Sequence, residues 1–500
     1  EQLFSFGLIW SFGGSLIDDK SNSNRKKFGE LWKSLFKQSN LPKEAQCYDY
    51  TYDIDSNSWT PWSEYVEEYS SQPIGINPGE IDFASIFVET VDTVRIKNIM
   101  GQITRQNTPI MLVGMAGTGK TAMVEQFFAT NDDNNVLNTT ISMNYYTEHY
   151  SLQAQIEKVI DKRSGRVFGP ASGKVMTYFL DDLNLPYIED YGTQNAHSFL
   201  RMCMDLKTFY DRIDLSFRKE IVDCKYVAAM NPTAGSFTVA DRVQRHFPVL
   251  ACDIPSEQDA KAIYFQILDG HLTSGFSNDI ACHAQAMVDA TVHIHKIVLD
   301  KFLPSAIKFV YNWNLREMSN IVRGLCSTVP NAFGRSSDAF IRLWLHEANR
   351  VFADRMVNEK EEERFNIIAI DTVKKYYSDA CDVEKVLDPE GLIFTNFCGS
   401  KGKGFYCQVP SEEVLNEELV SKLAEYNESN SIMDLVLFKQ AMEHVCRISR
   451  IISSPGGNAM LIGVGGSGKQ SLSKLAGFIS GCQIEQLNIS SKFTEDDLKE

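Results

Sequence analysis

The sequence lacks the long apolar runs and paired cysteines of membrane proteins and of exported, disulfide-bonded proteins. None of its 500 residues lies in a run of 18 consecutive apolar residues, the length that a membrane-spanning helix needs. The apolar start EQLFSFGLIWSFGGSL has neither the basic leader nor the cleavage signal of a secretory peptide. Eleven cysteines are scattered singly without a C-x-x-C pair, which argues against a disulfide framework and a zinc ribbon. We therefore expect a protein of a reducing compartment that has no membrane partner.

Positive charge is also scarce. The chain has 49 Lys and Arg against 65 Asp and Glu, a formal net charge of -16. Because affinity for nucleic acid is built mainly from clustered Lys and Arg, we expect no nucleic-acid partner. A metal cluster is not expected either, since helical spacing does not bring Cys282, His283, His293 and His295 to one face. No N-K-x-D motif for reading a guanine base is present, which disfavours a GTPase.

Apolar and turn-forming residues divide the chain into four predicted parts. Residues 1–80 are rich in aromatic and turn residues and predict a helical tail followed by an irregular linker. In residues 81–254, five strand-like runs alternate with helical stretches, which predicts a parallel sheet with helices on both faces. Residues 255–385 have a period of 3.6 and begin with a capping box, Ser256 with Asp259, so we expect an all-helical subdomain. Residues 386–500 lead to a second strand-like run, NAMLIG, and a second glycine-rich loop.

The first glycine-rich loop, GMAGTGKT at 114–121, has the form of a phosphate-binding loop between a strand and a helix. Glycine lets main-chain N–H groups close on phosphate oxygens, and the helix N-terminus adds a favourable dipole. Lys120 is expected to reach the β- and γ-phosphates, and Thr121 to bind Mg²⁺. The predicted nucleotide contacts are Gly114, Met115, Ala116, Gly117, Thr118, Gly119, Lys120 and Thr121.

Polar side chains end two of the predicted strands downstream. Asp181 and Asp182 follow VMTYFL, and Asn231 follows KYVAAM. Because carboxyl ends of parallel strands meet at one edge of a sheet, Asp181 is the candidate for holding Mg²⁺ and Asp182 for activating the attacking water. Asn231 could position that water through its amide. Taken singly, these residues are also compatible with ordinary turns before a proline.

Arg316 is a further candidate for the site, on weaker grounds. Asn314 and Glu317 read as the cap and third residue of a helix, which places Arg316 in the first turn. A positive charge there opposes the helix dipole unless an anion such as a γ-phosphate is close. A solvated surface arginine is the alternative interpretation.

The pattern of a strand-like run followed by a glycine-rich loop is repeated about 350 residues after the first loop. The second loop is GVGGSGKQ at 463–470. Its glycine spacing and lysine are intact, but Gln470 replaces the metal-binding hydroxyl. Ser471 cannot substitute directly, since successive helical residues point about 100° apart. We expect phosphate binding with uncertain hydrolytic competence. The predicted contacts are Gly463, Val464, Gly465, Gly466, Ser467, Gly468, Lys469, Gln470 and Ser471.

The chain resembles the AAA+ ATPases, and specifically the dynein heavy chains, over essentially its whole length. The stretches that carry the resemblance are LIWSFGGSL, ETVDTVR, FLDDLNLP, AAMNPTAGSF, RVQRHF, NWNLREMSNIVRG, LWLHEANRVFADR and GVGGSGKQSLSKLA. Their order resembles the end of the second ring module, the complete third and the start of the fourth. The forms DDLNLP and MNPTAGSF are similar to axonemal dyneins, and to an outer-arm chain among them. We therefore expect the segment from Glu1 to Glu500 to come from a longer protein.

The resemblance implies α/β modules with a parallel five-stranded sheet, helices on both faces and an all-helical small subdomain. It identifies Gly114 to Thr121 as Walker A, Asp181 and Asp182 as Walker B, Asn231 as sensor 1 and Arg316 as sensor 2. It also places Thr90 to Arg95 beside the adenine, with Val91 and Val94 on the adenine side, and makes Arg242 or Arg245 the arginine finger for the neighbouring module.

This sequence departs from the family at Asp182, where AAA+ proteins generally carry Glu. The side chain is shorter by about 1.5 Å, and a misplacement of that order costs about 10²-fold in rate. The resemblance thus implies a regulatory site that binds ATP or ADP with Mg²⁺ and hydrolyses ATP slowly, in a motor of the cilium or flagellum axoneme. Its implied partners are neighbouring modules, other dynein chains and, through regions outside this segment, microtubules. The alternatives are a midasin-like ATPase and a structural scaffold that never turns its nucleotide over.

Overall fold

The fold is taken from a computed structural model, which describes residues 1–18, 23–42, 46–70, 74, 81–130, 135–232, 239–388, 392–398, 404–487, 489–490, 493–494 and 497–498. These residues form two compact units. The α/β unit comprises Glu1–Ser70 and Ser85–Ile263, and the helical unit comprises Ser71–Ala84 and Tyr264–Glu500. Within the described ranges, no helix is long and apolar enough to cross a membrane. The same ranges contain no group of three His, Cys, Asp or Glu residues that could hold a metal ion.

The first part of the α/β unit contains two helices and a hairpin. Its elements are α1 (Gln2–Gly13), α2 (Asn24–Leu35) and the antiparallel pair β1 (Tyr50–Asp53) and β2 (Ser58–Pro61). The hairpin lies in the stretch expected to be irregular, where the Tyr52 and Trp59 rings meet edge to face across the two strands. Residues 71–73 and 75–80 of the predicted linker lie outside the described residues.

The centre of this unit is a parallel five-stranded sheet, as predicted. In space the order is β11-β3-β10-β7-β4, and every neighbouring pair is parallel. The strands are β3 (Ile110–Val113), β4 (Val136–Ser142), β7 (Val175–Asp181), β10 (Cys224–Met230) and β11 (Val249–Ala251). The connecting helices are α3 (Val91–Arg105), α4 (Lys120–Thr130), α5 (His149–Glu157), α6 (Asn195–Asp205) and α7 (Asp241–Gln244).

Successive residues of the central strands supply two separate apolar cores, because side chains alternate between the faces of a sheet. Tyr178 and Leu180 pack with residues of α5 and α6 on one face. Phe179 packs on the other face with residues of α3 and α4 and with Trp32 and Trp62 from the N-terminal part. Helices therefore cover both faces, and the carboxyl ends of all five strands meet at one edge.

A second, four-stranded sheet was not predicted. Its order is β5-β6-β9-β8. The strands are β5 (Asp161–Ser164), β6 (Val167–Gly169), β8 (Thr208–Tyr210) and β9 (Arg218–Ile221). Two of them read DKRS and RKEI, so charged residues conceal the strands from a search for apolar alternation.

The helical unit begins within α8 (Glu257–Thr273), whose predicted capping box is present as reciprocal Ser256 and Asp259 hydrogen bonds of 3.2 and 3.3 Å. It continues with α9 (Asn278–Ala281), α10 (Ala284–Lys301), α11 (Leu315–Cys326), α12 (Pro330–Phe333), α13 (Ser337–Val351), α14 (Glu359–Tyr377) and α15 (Val383–Leu387). The last part holds β12 (Phe394–Thr395), β13 (Cys407–Gln408), α16 (Glu412–Ser429), α17 (Lys439–Ile452) and α18 (Lys469–Ile479).

The prediction of a strand at NAMLIG, before the second loop, is wrong for the described structure. Residues 458–463 have no regular secondary structure, and the side chains of Met460 and Ile462 are exposed. A strand needs hydrogen-bonded neighbours, and the described residues of this unit offer only the two-residue pair β12 and β13. The α17 and α18 helices pack together through Val445 and Leu475, in a cluster that also holds Phe397 and Val409 beside the β12–β13 pair.

Candidate functional site

The first loop leaves strand β3 of the five-stranded sheet and turns into α4 at the carboxyl edge of the sheet. Gly117 and Gly119 have φ of 81° and 80°, a left-handed conformation that glycine adopts without a steric penalty. At Gly114 the constraint is different, because an added Cβ would lie 2.2 Å from the Cys252 carbonyl oxygen. The loop therefore passes against the end of β11, and the chain can approach so closely only without a side chain.

Lys120 is held inside this loop. Its side chain is 9% exposed, and Nζ donates to the carbonyls of Gly114 and Met115 at 2.8 Å each. A third contact, 3.3 Å long, runs from Nζ to the Thr118 hydroxyl. Burial raises the pKa of the adjacent Cys252 thiol to about 12, so the cysteine adds no negative charge beside the lysine. The ammonium is the charged group of the loop, and its three donors are engaged within the loop, so a phosphate would take the place of at least one of these partners.

The two predicted Walker motifs meet at Thr121. Its hydroxyl donates to the Asp181 carboxylate oxygen Oδ2 at 3.0 Å, across 60 positions of sequence. The other oxygen of Asp181 accepts from the main-chain N–H of Asp182 at 3.1 Å. A hydroxyl and a carboxylate are hard oxygen ligands of the kind that Mg²⁺ uses beside phosphates. These residues fit a Mg²⁺–nucleotide complex, with Thr121 and Asp181 as its metal side.

Asp182 and Asn231 lie at the same edge of the sheet. Asp182 is exposed and has φ of 54°, where Asp and Asn are tolerated better than most residues. Asn231 follows β10, which lies between β3 and β7, so it is placed between the loop and Asp181. Residues 233–237 of the predicted signature AAMNPTAGSF lie outside the described residues.

A small cavity lies beside the loop, at the N-terminus of α3. Its volume is about 30 Å³, and its walls include Thr90, Asp92, Arg95 and Thr118. An ion pair of 2.6 Å joins Arg95 to Asp92. Neither residue expected on the adenine side lines the cavity; Val91 and Val94 pack against the apolar core of this face.

The two arginines considered as fingers differ in their surroundings. Arg245 donates to both carboxylate oxygens of Asp205, at 3.2 and 3.1 Å. Arg242 is exposed and makes no ion pair with another described residue. Of the two, Arg242 is the side chain that is available to a neighbouring surface.

Arg316 lies in the helical unit, in the first turn of α11 and exposed. The predicted cap is present, since Asn314 Oδ1 accepts from the Arg316 N–H at 2.9 Å and Glu317 Oε2 accepts from the Asn314 N–H at 2.6 Å. The guanidinium therefore projects from a fixed helix start, and its role as a sensor stays a prediction.

The second loop reproduces the first in the helical unit. Gly466 and Gly468 have φ of 78° and 77°. Lys469 Nζ donates to the carbonyls of Gly463 and Val464 at 2.6 Å each and to the Ser467 hydroxyl at 3.2 Å. The phosphate-binding geometry is thus repeated.

The metal position of the second loop differs from that of the first. Gln470 occupies the place of Thr121, is exposed and makes no side-chain hydrogen bond to another described residue. Its amide oxygen is the group that could meet Mg²⁺. The two sites therefore differ in the metal ligand while sharing the lysine and the glycines.

Gly114→Ala is expected to disrupt the first loop far more than Gly119→Ala. At Gly114 the new methyl would collide with main-chain oxygen, and overpacking of this kind costs about 1 to 3 kcal/mol or more. At Gly119 nothing lies within 4 Å, so only the left-handed backbone is penalised, by about 1 kcal/mol. Amide hydrogen exchange of β3 and α4 in the whole protein measures the difference. Equal amide exchange rates of β3 and α4 in the two variants would contradict the packing argument.

Comparison with known proteins adds four matches to family models along the chain. Residues 1–64 match the dynein heavy chain AAA lid domain, and residues 76–255 match a P-loop containing dynein motor region. Residues 287–386 match an AAA+ lid domain, and residues 433–500 match the P-loop containing dynein motor region D4.

Similar full-length proteins include a ciliary dynein beta chain of Tripneustes gratilla, 41% identical over 501 residues. The flagellar outer arm dynein beta chain of Chlamydomonas reinhardtii is 40% identical over 501 residues, and the human dynein axonemal heavy chain 17 is 39% identical over 500. The alignments cover 99% to 100% of this chain and 11% of each relative. The chain therefore spans about a tenth of the length of the proteins it matches.

Proposed function

The chain belongs to the dynein heavy chain family, and on that premise we propose that it is a regulatory ATP-binding part of a motor ring. In this proposal the first loop is the nucleotide site of the third AAA+ module, which binds ATP with Mg²⁺ and hydrolyses it slowly to gate conformational change of the ring. The observation that carries the proposal is the 3.0 Å contact between Thr121 and Asp181, which joins the two motifs in one place.

Each residue of the site has a distinct part in this proposal. Lys120 neutralises the phosphates, and Thr121 with Asp181 holds the Mg²⁺. Asp182 accepts the proton of the attacking water, and Asn231 orients that water. A bound Mg²⁺ supplies charge neutralisation between the phosphates and the carboxylate. Slow turnover follows from the short side chain of Asp182.

The remaining predicted residues lie outside the first loop and have separate roles in this proposal. Arg242 is the better candidate for an arginine finger to the preceding module, since Arg245 is engaged by Asp205. Arg316 keeps the role of sensor 2 in this proposal. The second loop binds phosphate through Lys469, and its hydrolytic competence depends on whether Gln470 holds Mg²⁺.

The relatives are ciliary, flagellar and axonemal dynein chains, so we place the parent protein in the axoneme of a cilium or flagellum. Its proposed partners are the neighbouring modules of the same heavy chain, other dynein chains and microtubules, the last through regions beyond this segment. The matches to dynein family models along the chain disfavour the midasin-like alternative.

The structural-scaffold alternative is separated from slow hydrolysis by following bound nucleotide. The whole heavy chain is loaded with labelled ATP, chased with unlabelled ATP, and the label is identified at intervals. Conversion to ADP followed by release supports a regulatory ATPase. Label that stays bound as ATP through a long chase supports the scaffold.

Lys120→Ala is expected to weaken nucleotide binding at the first loop by about 10- to 100-fold. Hydrogen bonds to charged groups contribute about 1.5 to 3 kcal/mol, and each 1.4 kcal/mol is tenfold in affinity. Titration of the whole heavy chain with a fluorescent nucleotide should shift one binding step, and Lys469→Ala should shift a different one. Lys158→Ala, which removes an exposed lysine of the same unit, is the control and should shift none. A Lys120→Ala titration that overlays the wild type would refute the assignment of the loop.

A further inference from the structure

The turn that follows β7 is tied directly to the end of β10. The Leu183 N–H donates to the Ala229 carbonyl at 3.0 Å, and the Asn184 side-chain Nδ2 donates to the Asn231 carbonyl at 3.1 Å. Asn184 is 1% exposed, so this second bond lies in the interior. It connects the residue two places after Asp182 to the predicted sensor across 47 positions of sequence.

The main chain around Asn231 is constrained on both sides. The preceding carbonyl, of Met230, accepts from the Gly114 N–H at 3.2 Å, which ties it to the first loop. Pro232 follows, and a residue before proline is restricted to extended conformations. The hydrogen bond from Asn184 then fixes the direction of the Asn231 carbonyl. Gly114, Pro232 and Asn184 together therefore fix the main-chain position from which the Asn231 side chain extends.

The turn itself is held from α6. His197 Nε2 donates to the Leu183 carbonyl at 2.7 Å, and Gln194 Nε2 donates to the Pro186 carbonyl at 3.2 Å. Both side chains are buried, at 1% and 3% exposure. Asn184 thus projects from a rigid turn, so that a shift of the Asp182 segment is transmitted to Asn231.

Asn184 can make its contact in only one orientation. Turning the amide over would put Oδ1 against the Asn231 carbonyl, two acceptors with no proton between them. In the orientation present, Oδ1 is buried without a hydrogen-bond partner among the described residues. The hydrogen bond to the Asn231 carbonyl is therefore the polar contact that Asn184 makes with the rest of the described structure.

We propose that Asn184 is a positioning residue for ATP hydrolysis, which sets Asn231 relative to the turn that carries Asp182. The inference rests on the proposed function of the first loop and adds a residue to it. Asn184 acts through Asn231 and does not itself contact the reacting groups. When the turn and the strand end keep their spacing, the Asn231 amide meets the attacking water at the correct place.

The test is a double-mutant cycle in the whole heavy chain, with the hydrolytic carboxylates of the other modules neutralised. Single-turnover ATP hydrolysis and nucleotide affinity are measured for wild type, Asn184→Ala, Asn231→Ala and the double variant. Asn184→Ala should slow hydrolysis about tenfold while affinity changes by less than about twofold, because the effect is on orientation in the transition state. The double variant should be no slower than Asn231→Ala alone, since residues that act in series are not additive.

Gln153→Ala is the matched control. Gln153 is a buried amide of the same unit, 5% exposed, whose Nε2 donates to the Tyr210 carbonyl at 2.8 Å away from the loop. It should leave the hydrolysis rate unchanged. Asn184→Ser, which keeps a small polar side chain, replaces Asn184→Ala in the cycle if the latter does not fold.

The outcomes separate this role from the proposed function. If the wild type hydrolyses ATP and Asn184→Ala does so at the same rate, the role of Asn184 is wrong and the function stands. Additive losses in the double variant, or a slowing by Gln153→Ala equal to that of Asn184→Ala, would likewise overturn it. If the wild-type site hydrolyses nothing, the proposed function fails, and the role of Asn184 fails with it.

Discussion

Asp182→Asn is expected to slow ATP hydrolysis at the first loop by about 10²- to 10³-fold while nucleotide binding changes by less than twofold. Removing a group that takes a proton in the transition state costs a factor of this size. The substitution tests the chemistry cleanly, because φ of 54° is tolerated by Asn as well as by Asp. Single-turnover hydrolysis in the whole heavy chain, with the other modules silenced, measures it.

Asp182→Glu is the informative companion. The longer side chain should raise turnover, and the left-handed backbone should penalise it by only about 1 kcal/mol. Asp223→Asn is the control: Asp223 also has φ of 55°, but it pairs with Arg163 at a surface turn. It should leave turnover unchanged. Unchanged ATPase and motility in both Asp182 variants would remove Asp182 from the mechanism.

Glu347→Ala is expected to destabilise the helical unit by about 3 kcal/mol or more. Glu347 is fully buried and lies on α13. Its carboxylate accepts from Arg450 Nε on α17 at 3.1 Å, with a second bond from the same guanidinium, and from the Tyr406 hydroxyl at 2.6 Å. Removing one member of a buried ion pair costs about 3 to 5 kcal/mol, because the partner charge stays behind.

The packing around Glu347 supports this expectation. Gly324 on α11 faces the carboxylate so closely that an added Cβ would lie 1.9 Å from its Oε2 oxygen. Amide hydrogen exchange of α13 and α17 in the whole protein measures the loss. Glu412→Ala breaks the exposed Glu412–Lys439 pair of 3.3 Å. It should change the free energy of opening measured by hydrogen exchange by no more than about 1 kcal/mol. A Glu347→Ala effect as small as that would show that the buried pair is dispensable.

The residues at the carboxyl edge of the sheet were predictable from the sequence. Apolar runs predict the strands, and the parallel direction of the strands brings their carboxyl ends to one edge. Apolar runs ending in Asp181 and Asn231 required no knowledge of tertiary structure, since parallel strands bring their carboxyl ends together. The contact between Thr121 and Asp181 follows from the same rule. The helix start at Asn314 was also readable, because a cap and its partner are only three residues apart.

Features that depend on distant partners were not predictable. The polar strands of the second sheet and the absence of a strand at NAMLIG both depend on which neighbours are present to form hydrogen bonds. Asn184 was missed because an asparagine before a proline turn has the appearance of an ordinary turn residue, and its hydrogen bond to a main-chain carbonyl leaves no pattern in the sequence. The signal that could have found it is an asparagine two residues after the paired aspartates, in the turn that follows their strand.

The lysines of the two loops have a kinetic consequence. Lys120 and Lys469 each donate to two carbonyls of their own loop, so both loops hold their shape through bonds that are already made within the chain. A loop that is ordered before a ligand arrives loses little conformational entropy on binding. Nucleotide binding should therefore cost little ordering at either loop. The difference between Thr121 and Gln470 then appears in how long each nucleotide stays.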